Sequence, residues 1–259
     1  LFEEFGSDAV RYWAASARLG TDAAFDTGQM KIGRRLAIKI LNASKFALSS
    51  GAGSPDLTAG RSAVTEPLDR ALLAALGDVV AEATAAFDAY NHTRALEVAE
   101  TFFWTFCDDY IELVKERAYG SRGEDAAASA KAALATALSV LLRLFAPFLP
   151  FVTEEVWSWW QTGSVHRAAW PTRDEVAVDG EPDAGLLALI GDALSQVRGA
   201  KSGAQVSMRT EVTKAVVRGA ANDLDRLAPA ADDLAAAGRI GELLFEAAEA
   251  GELTVEVSL

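Results

Sequence analysis

The sequence predicts a mainly α protein, an antiparallel helical bundle followed by a small α+β unit. Three observations carry this. Alanine and leucine are abundant while prolines number only 7, and a helix costs the first two little. Apolar residues recur at helical spacing over most of the first 160 positions. Beyond Pro171 that period gives way in two places to alternating, β-branched runs. With 259 residues, 51% of them hydrophobic, the chain can fill about two compact units.

In order, Ser7 and Asp8 can cap a short helix through about Ala17. Gly20 to Gly28 reads as a connecting loop. A long helix is expected from about Gln29 to Ser49, broken by Ser50-Gly51-Ala52-Gly53-Ser54-Pro55. Thr65-Glu66-Pro67 opens the next helix with a hydroxyl cap and an early proline. Leu68, Leu72, Leu76, Val79, Ala83, Phe87 and Tyr90 then mark its apolar stripe. After Asn91-His92 a third helix carries Leu96, Ala99, Phe103, Phe106, Tyr110 and Leu113 and stops at Gly120. A fourth runs from about Glu124 to Phe145, ended by Pro147 and Pro150. A short aromatic helix spans Thr153 to Trp160. Short loops between long helices make an antiparallel bundle. Asp174 to Pro182 reads as an acidic linker, Asp183 to about Gly199 as helix, Val212 to Val217 as strand, Asn222 to Ala237 as helix and Leu253 to Val257 as strand.

Cys107 is the only cysteine, which permits no internal disulfide and fits a reducing, cytoplasmic setting. No run of about 18 apolar residues predicts a membrane span, and no secretory leader opens the chain. Leu1 is the first residue and the methionines are Met30 and Met208, so the expectation is a piece of a longer protein. Net charge is −13. Taken alone that argues against nucleic acid, because phosphate binding runs on Lys and Arg. The distribution qualifies it: residues 1–50 hold 7 basic and 5 acidic side chains, the remainder 17 and 32.

No catalytic or metal centre is legible. His92 and His166 sit in no nucleophile arrangement and no metal spacing. Asp108 and Glu112 share a helix face at i, i+4, where pairing with nearby Lys115 is the ordinary use. Cys107 reads as a small core residue. Gly51-Ala52-Gly53 lacks the Gly-Lys-Ser/Thr of a phosphate loop.

One helix is informative. At about 100° per residue, Ile32, Leu36, Ile40, Ala43 and Ala47 form a core stripe. Lys31, Arg34, Arg35, Lys39, Asn42, Lys45 and Phe46 fall on the other side, with Ile38 the one apolar exception there. No acidic residue interrupts the helix. Guanidinium and ammonium groups suit phosphates, and an aromatic suits a splayed base. A solvated basic face paired to the acidic rest of the chain fits the same spacing equally well.

At this helix the sequence resembles a known family. Gly33-Arg34-Arg35-Leu36-Ala37-Ile38-Lys39-Ile40-Leu41-Asn42-Ala43-Ser44-Lys45-Phe46 is similar to the start of the anticodon-binding domain of valyl-tRNA synthetases. Phe5-Gly6-Ser7-Asp8-Ala9-Val10-Arg11 resembles the segment after their Lys-Met-Ser-Lys-Ser loop. Phe106-Cys107-Asp108-Asp109-Tyr110-Ile111-Glu112-Leu113 with Lys115 resembles a block of the bundle. So does Phe145-Ala146-Pro147-Phe148-Leu149-Pro150-Phe151-Val152-Thr153-Glu154-Glu155-Val156-Trp157, followed by Val165-His166 and Trp170-Pro171. Asp109 departs from the pattern, since relatives commonly carry an aromatic there.

The resemblance implies a class I synthetase of the anticodon-binding type, divided as a stem-contact or linker region over 1–28, the helical-bundle anticodon-binding domain over 29–172 and a small α+β unit over 173–259. It implies an enzyme that activates valine with ATP and joins it to its tRNA. The ATP signatures, the catalytic domain and the editing domain lie outside these residues, so the chain itself is expected to hold no cofactor and to be inactive. Its expected partners are a valine tRNA and the missing catalytic domain, with no membrane. Lys31, Arg34, Arg35, Lys39, Asn42, Lys45 and Phe46 become the expected tRNA-binding residues. Phe102, Phe103, Trp104 and Phe106 are expected in the core. Two other readings stay open: the same region of an isoleucyl or leucyl enzyme, and a helical protein-interaction domain that never binds RNA. Arg198, Lys201, Arg209, Lys214 and Arg218 suit RNA contact and ordinary surface charge equally.

Overall fold

A computed structural model describes residues 1–52, 61–248 and 253–259. The expected break at Ser50–Pro55 lies outside them from Gly53 onward. Eleven α-helices and three strands are described: α1 Phe2–Phe5, α2 Ser7–Ala15, α3 Thr27–Ala47, α4 Pro67–Asp88, α5 His92–Thr105, α6 Ile111–Ala118, α7 Glu124–Phe145, α8 Pro150–Ser158, α9 Leu186–Gly203, β1 Val212–Gly219, α10 Ala221–Leu227, α11 Ala231–Gly238, β2 Ile240–Ala247 and β3 Thr254–Ser258. A π-helical turn at Phe106–Tyr110 joins α5 to α6.

The chain forms two compact units. One comprises Leu1–Arg61, Leu76–Trp104 and Lys131–Ala177; the other comprises Ser62–Ala75, Thr105–Ala130 and Val178–Leu259. The helices α4 and α7, 22 residues each, contribute residues to both.

In the first unit Asp26 accepts from the N–H groups of Gly28 and Gln29, at 2.7 and 3.3 Å, and so fixes the start of α3. Leu36, Ile40, Ala43 and Ala47 are buried as their spacing requires, and Met30 joins them. Asp8 does not cap its own helix. Its carboxylate accepts from Phe151 N–H at 3.1 Å and Val152 N–H at 2.8 Å. Those are second- and third-position donors of α8, which opens at Pro150 and has no side-chain cap of its own. Asp8→Ala should therefore cost about 1–2 kcal/mol in a urea melt. Burial raises the Asp8 pKa from 3.8 against the opposing pull of those two N–H groups. The associated stability is full below pH 3.8 and is lost as pH rises through the folded value. An Asp8→Asn chain should lack that acid-range slope.

The helix Glu124–Phe145 meets the length and composition test for a membrane span. Its Leu134, Leu138, Leu141, Leu142 and Phe145 are buried within the protein, each worth about 1.5–3 kcal/mol to the core.

In the second unit β1 is central, in the order β2-β1-β3. β2 runs parallel to it, Val212 opposite Ile240 through Gly219 opposite Ala247. β3 runs antiparallel, Lys214 opposite Ser258. The expected helix Asn222–Ala237 is two helices separated by a tight turn at Ala228–Ala230, because Pro229 supplies no N–H to continue the ladder.

Candidate nucleic-acid interface

The outer face of α3 is the candidate site. Lys31, Arg34, Arg35, Asn42 and Lys45 are exposed; Lys39 and Phe46 are half-buried. The structure brings aromatic groups to this face that spacing along α3 could not supply. Lys39 Nζ lies 5.8 Å from the centroid of the Trp104 ring, and Lys45 Nζ 6.0 Å from that of Trp159. Each contact is worth about 0.5–1 kcal/mol at an exposed site.

Trp104 corrects the expectation of a core position. Phe102, Phe103 and Phe106 are buried, but Trp104 is half-buried beneath Lys39. Its indole N–H donates to Glu100 Oε1 at 3.3 Å, while Tyr12 Oη donates to Glu100 Oε2 at 2.8 Å. Burial, then the Glu100 hydrogen bond, pushes the Tyr12 phenol far above its usual value; Arg35 nearby pulls the other way. Tyr12 is thus a neutral donor that orients Glu100. Trp159 is 38% exposed and donates to Glu155 at 3.0 Å. Its place is not legible in the sequence because the helical period of α8, which Trp159 follows, says nothing about α3.

Arg34 is held at the surface by α1: its Nη1 donates to the carbonyl of Glu4 at 2.6 Å. Among the described residues Lys31, Arg34, Arg35 and Lys45 form no ion pair with a carboxylate. Lys31 and Arg35 are exposed, and their side chains form no hydrogen bond or ion pair among the described residues.

Elsewhere the expected surface roles are filled by ordinary partners. Asp109 takes Arg198 at 3.1 Å and Glu112 takes Lys115 at 3.7 Å. His166 Nε2 lies 3.1 Å from the Pro150 carbonyl. Among the described residues no three His, Cys, Asp or Glu side chains converge.

Residues 69–217 match the family described as the anticodon-binding domain of tRNA ligase; α3 precedes that stretch. The whole chain is similar to the valine–tRNA ligase of Thermobifida fusca, at 60% identity over 29% of that protein's length. It is 56% identical to the valine–tRNA ligase of Salinispora tropica, over 32% of its length. Against that of Leifsonia xyli it is 58% identical across 95% of this chain and 28% of the relative. The chain thus spans about three tenths of the curated relatives it matches. Among solved structures, the Agrobacterium radiobacter LeuRS in a ternary complex with tRNA and LeuAMS superposes with a TM-score of 0.50. That match has 19% identity and covers 69% of this chain and 22% of that one, a likeness of fold.

Proposed function

The chain belongs to the family of anticodon-binding domains of tRNA ligases, and from that premise we propose that it is the tRNA-positioning portion of a valine–tRNA ligase. The valine–tRNA ligases of three organisms, 56–60% identical, support the amino-acid assignment. The observation that carries the RNA reading is that Lys31, Arg35 and Lys45 of α3 have no carboxylate partner among the described residues, on a helix whose Lys39 and Lys45 stand over the indoles of Trp104 and Trp159. Cations grip the sugar–phosphate backbone and fix register. Asn42 and Phe46, with Trp104 under Lys39 and Trp159 under Lys45, offer polar and aromatic partners to unstacked anticodon bases. The helical bundle sets the distance from anticodon to acceptor end, so that the reacting end arrives in position. Valine activation with ATP belongs to the rest of the ligase, and these residues hold no cofactor.

The test is binding of the chain to valine, isoleucine and leucine tRNA transcripts across a salt series. Arg35→Ala should weaken binding and lower the salt slope by about one. Phe46→Ala should cost about 1–3 kcal/mol with the slope unchanged and the valine preference reduced. Equal, salt-insensitive binding to all three transcripts, indifferent to both changes, would favour a protein-interaction bundle instead.

A further inference from the structure

A second basic site lies in the second unit, away from α3 in sequence. Of the five cations singled out there, three are spent: Lys214 pairs with Glu242, Arg218 with Glu246 and Glu256, and Arg198 with Asp109. Lys201 and Arg209 are not. Both line a cleft of about 390 Å³ together with Lys115, Arg198 and Arg239.

Lys201 is the built element of this cleft. It is only 2% exposed, and no carboxylate pairs with it among the described residues. Its ammonium donates to the carbonyls of Gly238 at 2.8 Å and Met208 at 3.1 Å. An ammonium has three donors, so one remains without a protein acceptor among the described residues. Gly238 ends α11, and Lys201 covers the negative end of that helix, which would otherwise repel an anion. Arg239 follows in the left-handed region, at φ 54°, a backbone position that glycine relaxes and arginine strains. Its contact to Glu211 is a loose 3.6 Å to a carboxylate that is 82% exposed. Arg209 is exposed and forms no ion pair among the described residues. The carboxylates that line or pair with these groups are Glu112, Glu116, Asp109 and Glu211. Arg209, without a carboxylate partner among the described residues, and Arg239, with only a loose one, are the cleft cations least held by carboxylates.

We infer that this cleft binds a phosphodiester of an RNA backbone, giving the chain a second RNA contact besides the α3 face. The spare donor of the buried Lys201, with Arg209 and Arg239 lining the same cleft, supplies donors of the kind phosphate oxygens accept. The inference rests on the chain binding RNA, but on different residues from those of α3.

The test uses the chain and a valine tRNA transcript by fluorescence anisotropy, with Arg209→Glu/Arg239→Gln and Arg35→Glu as separate arms. The cleft variant should weaken binding about tenfold at low salt and lower the salt slope by about one to two, with the thermal midpoint unchanged. Inorganic phosphate and a polyglutamate peptide are titrated as competitors. An unchanged affinity and slope in the cleft variant overturns the inference, even if inorganic phosphate binds. So does tRNA binding displaced by neither substitution while the peptide binds the cleft. Loss in the cleft arm with no loss in the Arg35→Glu arm keeps the cleft and removes the α3 reading.

Discussion

Replacing Arg117 by alanine should destabilise the chain by about 3–5 kcal/mol, the cost of stranding buried charges by removing their partner. Arg117 is 1% exposed, and all five of its N–H donors are used. Nη1 and Nη2 each reach Asp69 at 2.7 Å; Nε and Nη2 reach Asp233 at 3.0 and 3.1 Å; Nη1 also reaches the Ala126 carbonyl at 3.2 Å. Asp69 takes two further donors, from Tyr110 at 2.8 Å and Ser129 at 2.6 Å. Ser129 in turn accepts from the N–H groups of Thr65 and Glu66, both at 3.0 Å, just before α4. Arg122 adds a second guanidinium to Asp233 at 3.1 Å. One side chain thus ties together three stretches of the second unit that are far apart in sequence. Arg117→Lys should recover only part of the loss, since an ammonium offers three donors to five acceptors. Burial already pushes the Asp233 carboxyl up, against the pull of Arg117. Without Arg117 it should rise further, so the variant's deficit should be smallest in acid and grow as pH rises through that value. Urea melts at several pH values read both effects; a pH-independent loss below about 1 kcal/mol, the size of a surface pair, would refute this account.

Gly33→Val should produce the other large loss, about 2–3 kcal/mol or more from overpacking, and should weaken tRNA binding with it. A β-carbon at Gly33 would stand 2.6 Å from Tyr12 Cβ and 2.8 Å from its Cγ. Those atoms sit next to the backbone of α2 and cannot swing aside, so the two helices would have to part. Tyr12 also orients Glu100, which holds Trp104 under Lys39. The displacement would therefore reach the α3 face without touching any of its cations. Gly33→Ala should show the same effect at reduced size. Thermal unfolding beside tRNA binding separates the two consequences; a variant of wild-type stability would mean that α2 shifts freely.

The sequence by itself determined the helical character, the inner stripe of α3 and the placing of its cations on the opposite side. Those features follow from local period and composition, which a window of a dozen residues contains. It also showed the two alternating strands, β1 and β3. It did not show β2. Gly241-Glu242-Leu243-Leu244-Phe245-Glu246-Ala247 favours a helix by propensity as readily as a strand, and only hydrogen bonding to β1 makes it one. Nor did it show that Asp8 serves α8, that Ser129 serves the approach to α4, or that Trp104 and Trp159 lie under the cations of α3. The partners in these contacts stand 143, 63, 65 and 114 positions apart. A donor left over at one helix end can be satisfied by any acceptor the fold delivers, and only the tertiary structure selects which. The same holds for charge: an acidic total of −13 is a property of the sequence, but that no carboxylate among the described residues pairs with Lys31 or Arg35 is a decision of the fold.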